Sequence, residues 1–395
     1  MMRVLVLNSG SSSIKFQLYR MPEEVVEVRG MVERIGEPDA SLRVRAEGVD
    51  ERLKRLVPDH AAGLHHVLEA LARLGVPLDT LGAVGHRVVH GGEDFAHTVL
   101  IDEAVEAAVE RNSALAPLHN PPNLLGIRVA REVLPGVPQV AVFDTAFHQT
   151  MPEAAWRYAL PEALYTEHGV RRYGFHGTSH RYVTERAAAM LGLAVDQVNL
   201  ITCHLGNGAS VAAVRGGRSV DTTMGLTPLE GLVMGTRSGD LDPAIPLFLQ
   251  STLGMSAAQV DKLLNKESGL LGLSGLSNDA RAVEEAAAAG HERARLALEV
   301  QAYRLRKVIG AYTAVLGQVH AVVFTAGIGE NSDVARAMAM EGLQPMGYWL
   351  DEAKNAGLRG READIAHLDS LSRILVIPTD EELVIARDTY ELAAG

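Results

Sequence analysis

The chain has a single cysteine, Cys203, in 395 residues. A lone thiol excludes an intrachain disulfide framework and any site built from several cysteine ligands, and it fits a reducing compartment. No apolar run approaches the roughly 20 residues of a membrane-spanning helix. The first apolar run, Val4 to Leu7, gives way at once to Asn8 and a group of serines, unlike a secretory signal. A cytoplasmic protein with no membrane partner is expected. Positive charge is also in deficit: 37 Lys and Arg against 49 Asp and Glu leave a net charge of −12. That argues against a general nucleic-acid binder, which needs a basic surface. It does not exclude an anionic substrate, for which a few arginines in a cleft suffice. Short-period repeats and low-complexity tracts are absent. So are three common signatures. Gly10 and Lys15 lack the second glycine and the Ser/Thr of a Walker A loop. Gly327-Ile328-Gly329 lacks the third glycine of the dinucleotide fingerprint. No His and carboxylates fall at HExxH or a related zinc spacing, so no transition-metal site is expected.

At this length one ordinary core does not suffice, and two domains are expected. Strands interleave with helices, which makes the chain α/β. Residues 3–7, 13–19 and 25–32 read as strands of a meander, 59–75 as a helix, 84–89 as a strand and 102–111 as a helix. Asn120-Pro121-Pro122-Asn123 opens another helix, with prolines tolerated in its first turn, and 139–143 is a buried strand. A second lobe starts near 147–152 with an irregular stretch over 148–165. Residues 179–192 read as a helix, 198–203 and 210–214 as paired strands with 219–221 following, 280–316 as one long helix, and 321–325 and 373–377 as strands; a final helix begins near Glu381. Leu7 to Ser13 aligns with Cys203 to Ala209, and both lie between strands. The identity is thin, but the shared strand–polar turn–strand unit suggests duplicated lobes.

Three turns rich in Gly, Asn, Ser or Thr follow apolar strands: residues 8–15, 204–210 and 325–331. Each alone reads as a plain hairpin; three in a two-lobed chain favour a nucleotide, held by backbone N–H groups and short polar side chains. In His86-Arg87-Val88-Val89-His90-Gly91-Gly92, Arg87 can make bidentate contact with a carboxylate or phosphate. Strand alternation puts Arg87 and Val89 on one face. Arg237 stands in the Gly-rich loop Met234 to Pro243. Two arginines from different lobes suit phosphoryl transfer, where charge on equatorial oxygens must be stabilised. Asp144 ends a buried strand, as parallel-sheet active sites often do, and a functional role is favoured over a turn cap. His176 lies between an aromatic and a glycine ahead of a Thr/Ser helix start. His119 reads equally as a functional group or a packed turn residue. Asp380-Glu381-Glu382 opens the last helix, where carboxylates are favoured by the dipole alone and where a Mg²⁺ role competes with that reading.

Together these motifs resemble the acetate kinase family, within the superfamily of sugar kinases, actin and heat-shock chaperone ATPases. Val6 to Lys15 and Gly85 to Gly92 carry the likeness, with Phe143 to His148, Arg172 to His180, His204 to Gly208 and Thr227 to Arg237 in support. The resemblance implies two duplicated actin-like (ribonuclease H-like) domains with a central cleft, residues 1–147 plus 381–395 and residues 148–380. It implies reversible, direct in-line transfer of the ATP γ-phosphoryl to acetate, with closure of the lobes excluding water. By the family pattern Asn8 and Glu381 sit near Mg²⁺ (Mn²⁺ as the alternative). Arg87 and Arg237 hold the acetate carboxylate and the transferring phosphoryl, Asp144 orients an arginine and the metal, and His176 bonds the γ-phosphoryl with His119 in support. Ser11, Ser13 and Lys15 lie on the acceptor-lobe side of the phosphoryl. His204, Gly206, Asn207 and Gly208 hold the ATP phosphates; Asp279, Arg281, Gly327, Ile328, Gly329 and Asn331 surround the rest of the nucleotide. Ala280 stands where many members have an aromatic. Val89, Leu118, Phe175 and Pro228 form the methyl pocket. A homodimer through the second lobe is implied. The rival readings are a propionate or butyrate kinase and a non-catalytic ATP-driven switch of the actin or chaperone type.

Overall fold

The computed structural model describes residues 1–117 and 119–395. The chain divides into two compact units, Met1–Gln149 with Asp380–Gly395, and Thr150–Thr379.

Unit 1 contains the strands β1 (Met2–Ser9), β2 (Ser13–Met21), β3 (Val25–Glu33), β4 (Ser41–Ala46), β5 (Val49–Lys54), β6 (Leu81–Val88), β7 (Val99–Leu100) and β8 (Gln139–Phe143). Among the described residues they make one eight-stranded sheet in the order β5-β4-β3-β2-β1-β6-β8-β7. β1 runs antiparallel to β2 and parallel to β6, and β6 parallel to β8. β1 is apolar at every position from Val4 to Leu7 because both faces are covered. Leu5 and Leu7 join the cluster of helices α1 (His60–Arg73) and α3 (Asn120–Val133), with α2 (Glu103–Arg111) between these two in sequence. Val4 and Val6 pack instead with Ile385 and Ala386 of the C-terminal helix (Glu381–Ala394). α1 starts where Asp59 accepts a hydrogen bond from the Ala62 N–H at 2.8 Å. The β4–β5 hairpin carries no motif, yet its alternation is plain afterwards: Leu42 and Val44 are buried while Arg43 and Arg45 pair with Asp50 outside.

Unit 2 contains β9 (Asn199–Leu205), β10 (Ala209–Arg215), β11 (Arg218–Thr222), β12 (Ala321–Thr325), β13 (Ala363–Asp364) and β14 (Arg373–Val376). The order is β11-β10-β9-β12-β14-β13. β9 is antiparallel to β10 and parallel to β12, β10 is antiparallel to β11, and β12 is parallel to β14. That is the arrangement β3-β2-β1-β6-β8 over again, with the same directions. Each unit therefore holds a copy of one five-stranded α/β core, the actin-like (ribonuclease H-like) core. The thin echo of Leu7–Ser13 at Cys203–Ala209 marks the equivalent β1–β2 and β9–β10 turns.

Helices α4 (Gly177–Leu191), α5 (Gly269–Ser274), α6 (Ala280–Ala288), α7 (Glu292–Leu316), α8 (Ala326–Asn331) and α9 (Asp333–Met340) surround this sheet. Two expectations are corrected. The long helix over 280–316 is broken between α6 and α7, because Gly290 takes a φ of +91° and His291 caps the new start, accepting from the Ala294 N–H at 3.1 Å. The irregular 148–165 stretch contains the short helix Glu153–Trp156 and most of a second, Glu162–His168, each opened by a proline. Among the described residues no helix is long and apolar enough to cross a membrane.

Candidate active site

In unit 1 the strand ends of β6 and β8 bring Arg87 and Asp144 together. Arg87 Nε lies 3.0 and 3.2 Å from the two carboxylate oxygens, and its Nη2 2.7 Å from Oδ2. The bidentate fork fixes the guanidinium plane, while 23% of the side chain stays exposed, leaving donors for a ligand. Burial works against the Arg87 charge, but Asp144 and then Glu381 outweigh it, so its pKa is raised. The flanking histidines are structural. His86 is buried, 2.7 Å from Gln139 Oε1, and burial pulls its pKa down to about 4. His90 Nδ1 accepts from the Gly92 N–H at 3.0 Å. Two asparagines of α3 act as staples that motif reading missed. Asn123 accepts from the Val89 N–H at 3.1 Å and donates to the Ser9 carbonyl at 2.7 Å; Asn120 bonds both the N–H and the carbonyl of His90. Their position after the helix start, facing two strand ends, is the signal that would have found them.

The N-terminus of the C-terminal helix adds carboxylates to the same unit. Lys15 pairs with Glu382, and Asn8 stands opposite Lys15 in the β1–β2 ladder. Glu381 Oε1 is shut off from solvent and has no hydrogen-bond partner among the described residues. Burial is the largest influence on this carboxyl; Arg87 opposes it, Asp144 and Glu382 reinforce it, and the pKa rises from 4.5 to about 7. A buried, unsatisfied carboxylate oxygen beside Asp144 fits a hard cation. Among the described residues no three or more His, Cys, Asp or Glu gather as a metal cage. Such a sparse oxygen set suits Mg²⁺, which keeps waters and takes phosphate oxygens alongside one or two carboxylates. Ser11 is exposed and Ser13 half-buried at the β1–β2 turn, and His119 is the exposed N-cap residue of α3. Val89 is buried at the end of β6. Leu118 lies outside the described residues.

In unit 2 the β9–β10 turn and the Arg237 loop interlock. The Gly235 N–H donates to the Asn207 carbonyl at 2.9 Å, and Asn278 Nδ2 donates to Asn207 Oδ1 at 3.0 Å. A Cβ on Gly235 would stand 2.0 Å from Asn207 Oδ1, so only glycine permits this approach. Arg237 Nη2 comes within 3.3 Å of where a Gly208 side chain would begin. Its Nη1 donates to the Pro228 carbonyl at 2.8 Å. No carboxylate pairs with it among the described residues, and burial alone lowers its pKa. A desolvated cation without a counter-ion is an anion site in waiting. Ahead of the loop, Arg172 Nη1 donates to the carbonyls of Thr222, Thr223 and Met224, and its Nη2 lies 2.6 Å from Glu230. Arg172 opens the Arg172–His180 motif, but partners fifty residues on leave it without a visible role in the sequence.

Two of the expected histidines, His176 and His204, come together in the same unit, whereas His119 belongs to unit 1. His176 takes a left-handed φ of +57° just before α4. Its ring stacks on His204 at 4.0 Å between centroids, and His204 Nδ1 lies 2.7 Å from Ser179 Oγ. Phe175 is buried, and Pro228 is the residue whose carbonyl accepts from Arg237. A cavity of about 630 Å³ is lined by Gly206, Asn207, Asp279, Arg281, Gly327, Ile328 and Asn331, with Asn278, Ala280, Glu284, Ser332 and Arg359 added. Asp279 and Arg281 pair with each other at 3.1 Å on its rim. Gly329 is buried and is not among the lining residues; its carbonyl is held by the fully buried Arg336 at 2.9 Å. The turn expected over 325–331 is the short helix α8. Arg336 and Arg359 fall in a stretch without any sequence motif.

Comparison with known proteins agrees over the full length. Residues 3–387 match the acetokinase family. The acetate kinase of Geobacillus kaustophilus (strain HTA426) is 55% identical over 395 residues, covering 100% of both chains. The crystal structure of Porphyromonas gingivalis acetate kinase superposes with a TM-score of 0.95 at 46% identity, covering 99% of this chain and 100% of that one. A propionate kinase from Francisella tularensis subsp. tularensis SCHU S4 superposes with a TM-score of 0.94 at 42% identity, covering 99% and 100%.

Proposed function

The chain belongs to the acetokinase family, and we propose that it is an ATP-dependent acetate kinase, transferring the γ-phosphoryl of ATP to acetate, reversibly, to give acetyl phosphate and ADP. The observation that carries this reading is Arg237, half-buried and without a carboxylate partner among the described residues, against the Asn207–Gly208 turn. A switch ATPase has no use for such a group.

Acetate is ionised at neutral pH and is already a nucleophile, so no general base is required. One carboxylate oxygen forms a bond to the γ-phosphorus as the bond to the β,γ-bridging oxygen breaks, and ADP leaves with that electron pair. The protein's task is to hold anions and stabilise spreading charge. Arg237 serves that charge with a guanidinium anchored on the Pro228 carbonyl. Arg87, pinned by Asp144, offers its remaining donors to the carboxylate. His176 donates to a γ-phosphoryl oxygen through the nitrogen that does not face Ser210. The 630 Å³ cavity takes the adenosine. Asn8, Asp144 and Glu381 are the groups that would hold Mg²⁺, which when bound supplies positive charge to the phosphates. Val89 narrows the space for the acyl chain; one methylene changes selectivity by about 1–3 kcal/mol, and the propionate kinase likeness makes propionate the natural second substrate.

We read the protein as a cytoplasmic homodimer. The helix Ala244–Ser251 buries none of its residues, and Leu247 and Phe248 are 64% and 53% exposed, an apolar face suited to a second copy. Light scattering should give the mass of two chains. Function is tested by trapping acyl phosphate as hydroxamate with ATP and either acetate or propionate. Acetate should give the higher kcat/KM. ATP loss without acyl phosphate would overturn the kinase reading, and a propionate preference would overturn the substrate.

A further inference from the structure

A chain of hydrogen bonds inside unit 2 ends at His176. Ser210 Oγ lies 2.9 Å from His176 Nδ1 and 2.8 Å from His180 Nε2. His180 Nδ1 lies 2.7 Å from Thr202 Oγ1. Thr202, His180 and Ser210 are wholly buried. A serine hydroxyl has one proton, so Ser210 can donate to only one of the two rings, and the choice couples their tautomers.

Only one choice suits a phosphoryl ligand. Phosphoryl oxygens only accept, so a neutral His176 that serves one must carry its proton on Nε2. Its Nδ1 is then an acceptor, and Ser210 is the donor that faces it. Ser210 Oγ in turn accepts from the His180 Nε2–H, and His180 Nδ1 accepts from the Thr202 Oγ1–H. We propose that Thr202, His180 and Ser210 form a one-way donor chain that holds neutral His176 as its Nε2–H tautomer, which makes His180 and Ser210 positioning residues for phosphoryl transfer. The proposal rests on His176 as the γ-phosphoryl ligand. Two further features fit a ring whose placement matters. His176 occupies a left-handed backbone conformation that non-glycine residues avoid, as strained residues at working sites often do. His204 stacks against its face with an interplanar angle of 19°. A buried serine in the apolar strand Ala209 to Val214 is the sequence trace of the device.

The tautomer is read directly from imidazole nitrogen shifts in nitrogen-15 histidine-labelled, nucleotide-free protein at about pH 8, where an ordinary histidine is neutral. His176 is assigned by its loss in His176→Asn. The wild type should show His176 protonated on Nε2 and bare on Nδ1. In Ser210→Ala the two forms should mix, and kcat should fall about tenfold, the worth of one hydrogen bond, with both KM values held within about twofold. Ser210→Thr keeps the hydroxyl and should recover most of the rate. His180→Gln, which can still donate to Ser210, should exceed His180→Phe. The wild-type spectrum needs no variant at Ser210 or His180, so a folding failure there leaves the proposal testable. A wild-type His176 with its proton on Nδ1, or on both nitrogens, overturns the chain and leaves the kinase reading standing. So does a Ser210→Ala kcat within twofold of wild type. Unchanged kcat in His176→Asn overturns the role of His176 itself.

Discussion

Replacing Glu381 by glutamine should stabilise the nucleotide-free protein at alkaline pH while disabling it. The folded-state pKa of Glu381 is raised from 4.5 to about 7, chiefly by burial. Below the unfolded value the carboxyl is protonated in both states and its contribution to stability is fully present. As pH rises through the folded value, the unfolded chain ionises freely while the folded one must hold a charge out of water. The contribution is lost over that window, up to about 3 kcal/mol at ~1.36 kcal/mol per pKa unit. Glutamine keeps the shape and never ionises. Urea unfolding with a chelator present should show Glu381→Gln more stable by up to about 3 kcal/mol at about pH 8.5, shrinking to about 1 kcal/mol at about pH 5. Turnover with Mg²⁺ should fall at least about tenfold, because a neutral amide is the poorer ligand for a hard cation. An equal gap at both pH values, or a wild type that is the more stable at pH 8.5, would refute the buried-carboxylate reasoning.

Other outcomes follow from the same geometry. Val89→Ala should shift the propionate-to-acetate ratio of kcat/KM about tenfold toward propionate, the worth of roughly one methylene; an unchanged ratio would remove Val89 from the acyl pocket. Arg336 donates to the Gly329 and Leu358 carbonyls at 2.9 Å each and to Asn355 Oδ1 at 2.8 Å. Arg336→Met strands those acceptors and should cost about 3 kcal/mol in urea unfolding and raise the KM for ATP; a cost below about 1 kcal/mol would contradict it. Cys203 is fully buried, and burial raises its thiol pKa, so an aromatic disulfide reagent should label it only after denaturation.

What could be seen in the sequence was local. β1 and its turn are legible because an apolar run must be buried and Asn8 with the serines must end it, and the same logic finds β9–β10. The duplicated order of strands is not legible from the thin identity of the two turns; it emerges from the ladders. Arg87, Arg237 and Asp144 stand out because a charge beside glycines or at a buried strand end needs a reason. Arg172, Arg336 and Ser210 do not, because their partners are 50, 22 and 30 residues away. The break at Gly290 is hidden in the sequence because apolar residues continue on both sides of it; the positive φ of Gly290 and the extended His291 interrupt the helix.

The decisive measurement for the role of Arg237 in phosphoryl transfer is Arg237→Ala, assayed by hydroxamate trapping from ATP and acetate beside its urea midpoint. Turnover should fall at least about 100-fold with the unfolding midpoint near that of wild type, since the guanidinium has no carboxylate partner to lose among the described residues. Near-normal turnover in a folded variant would contradict it.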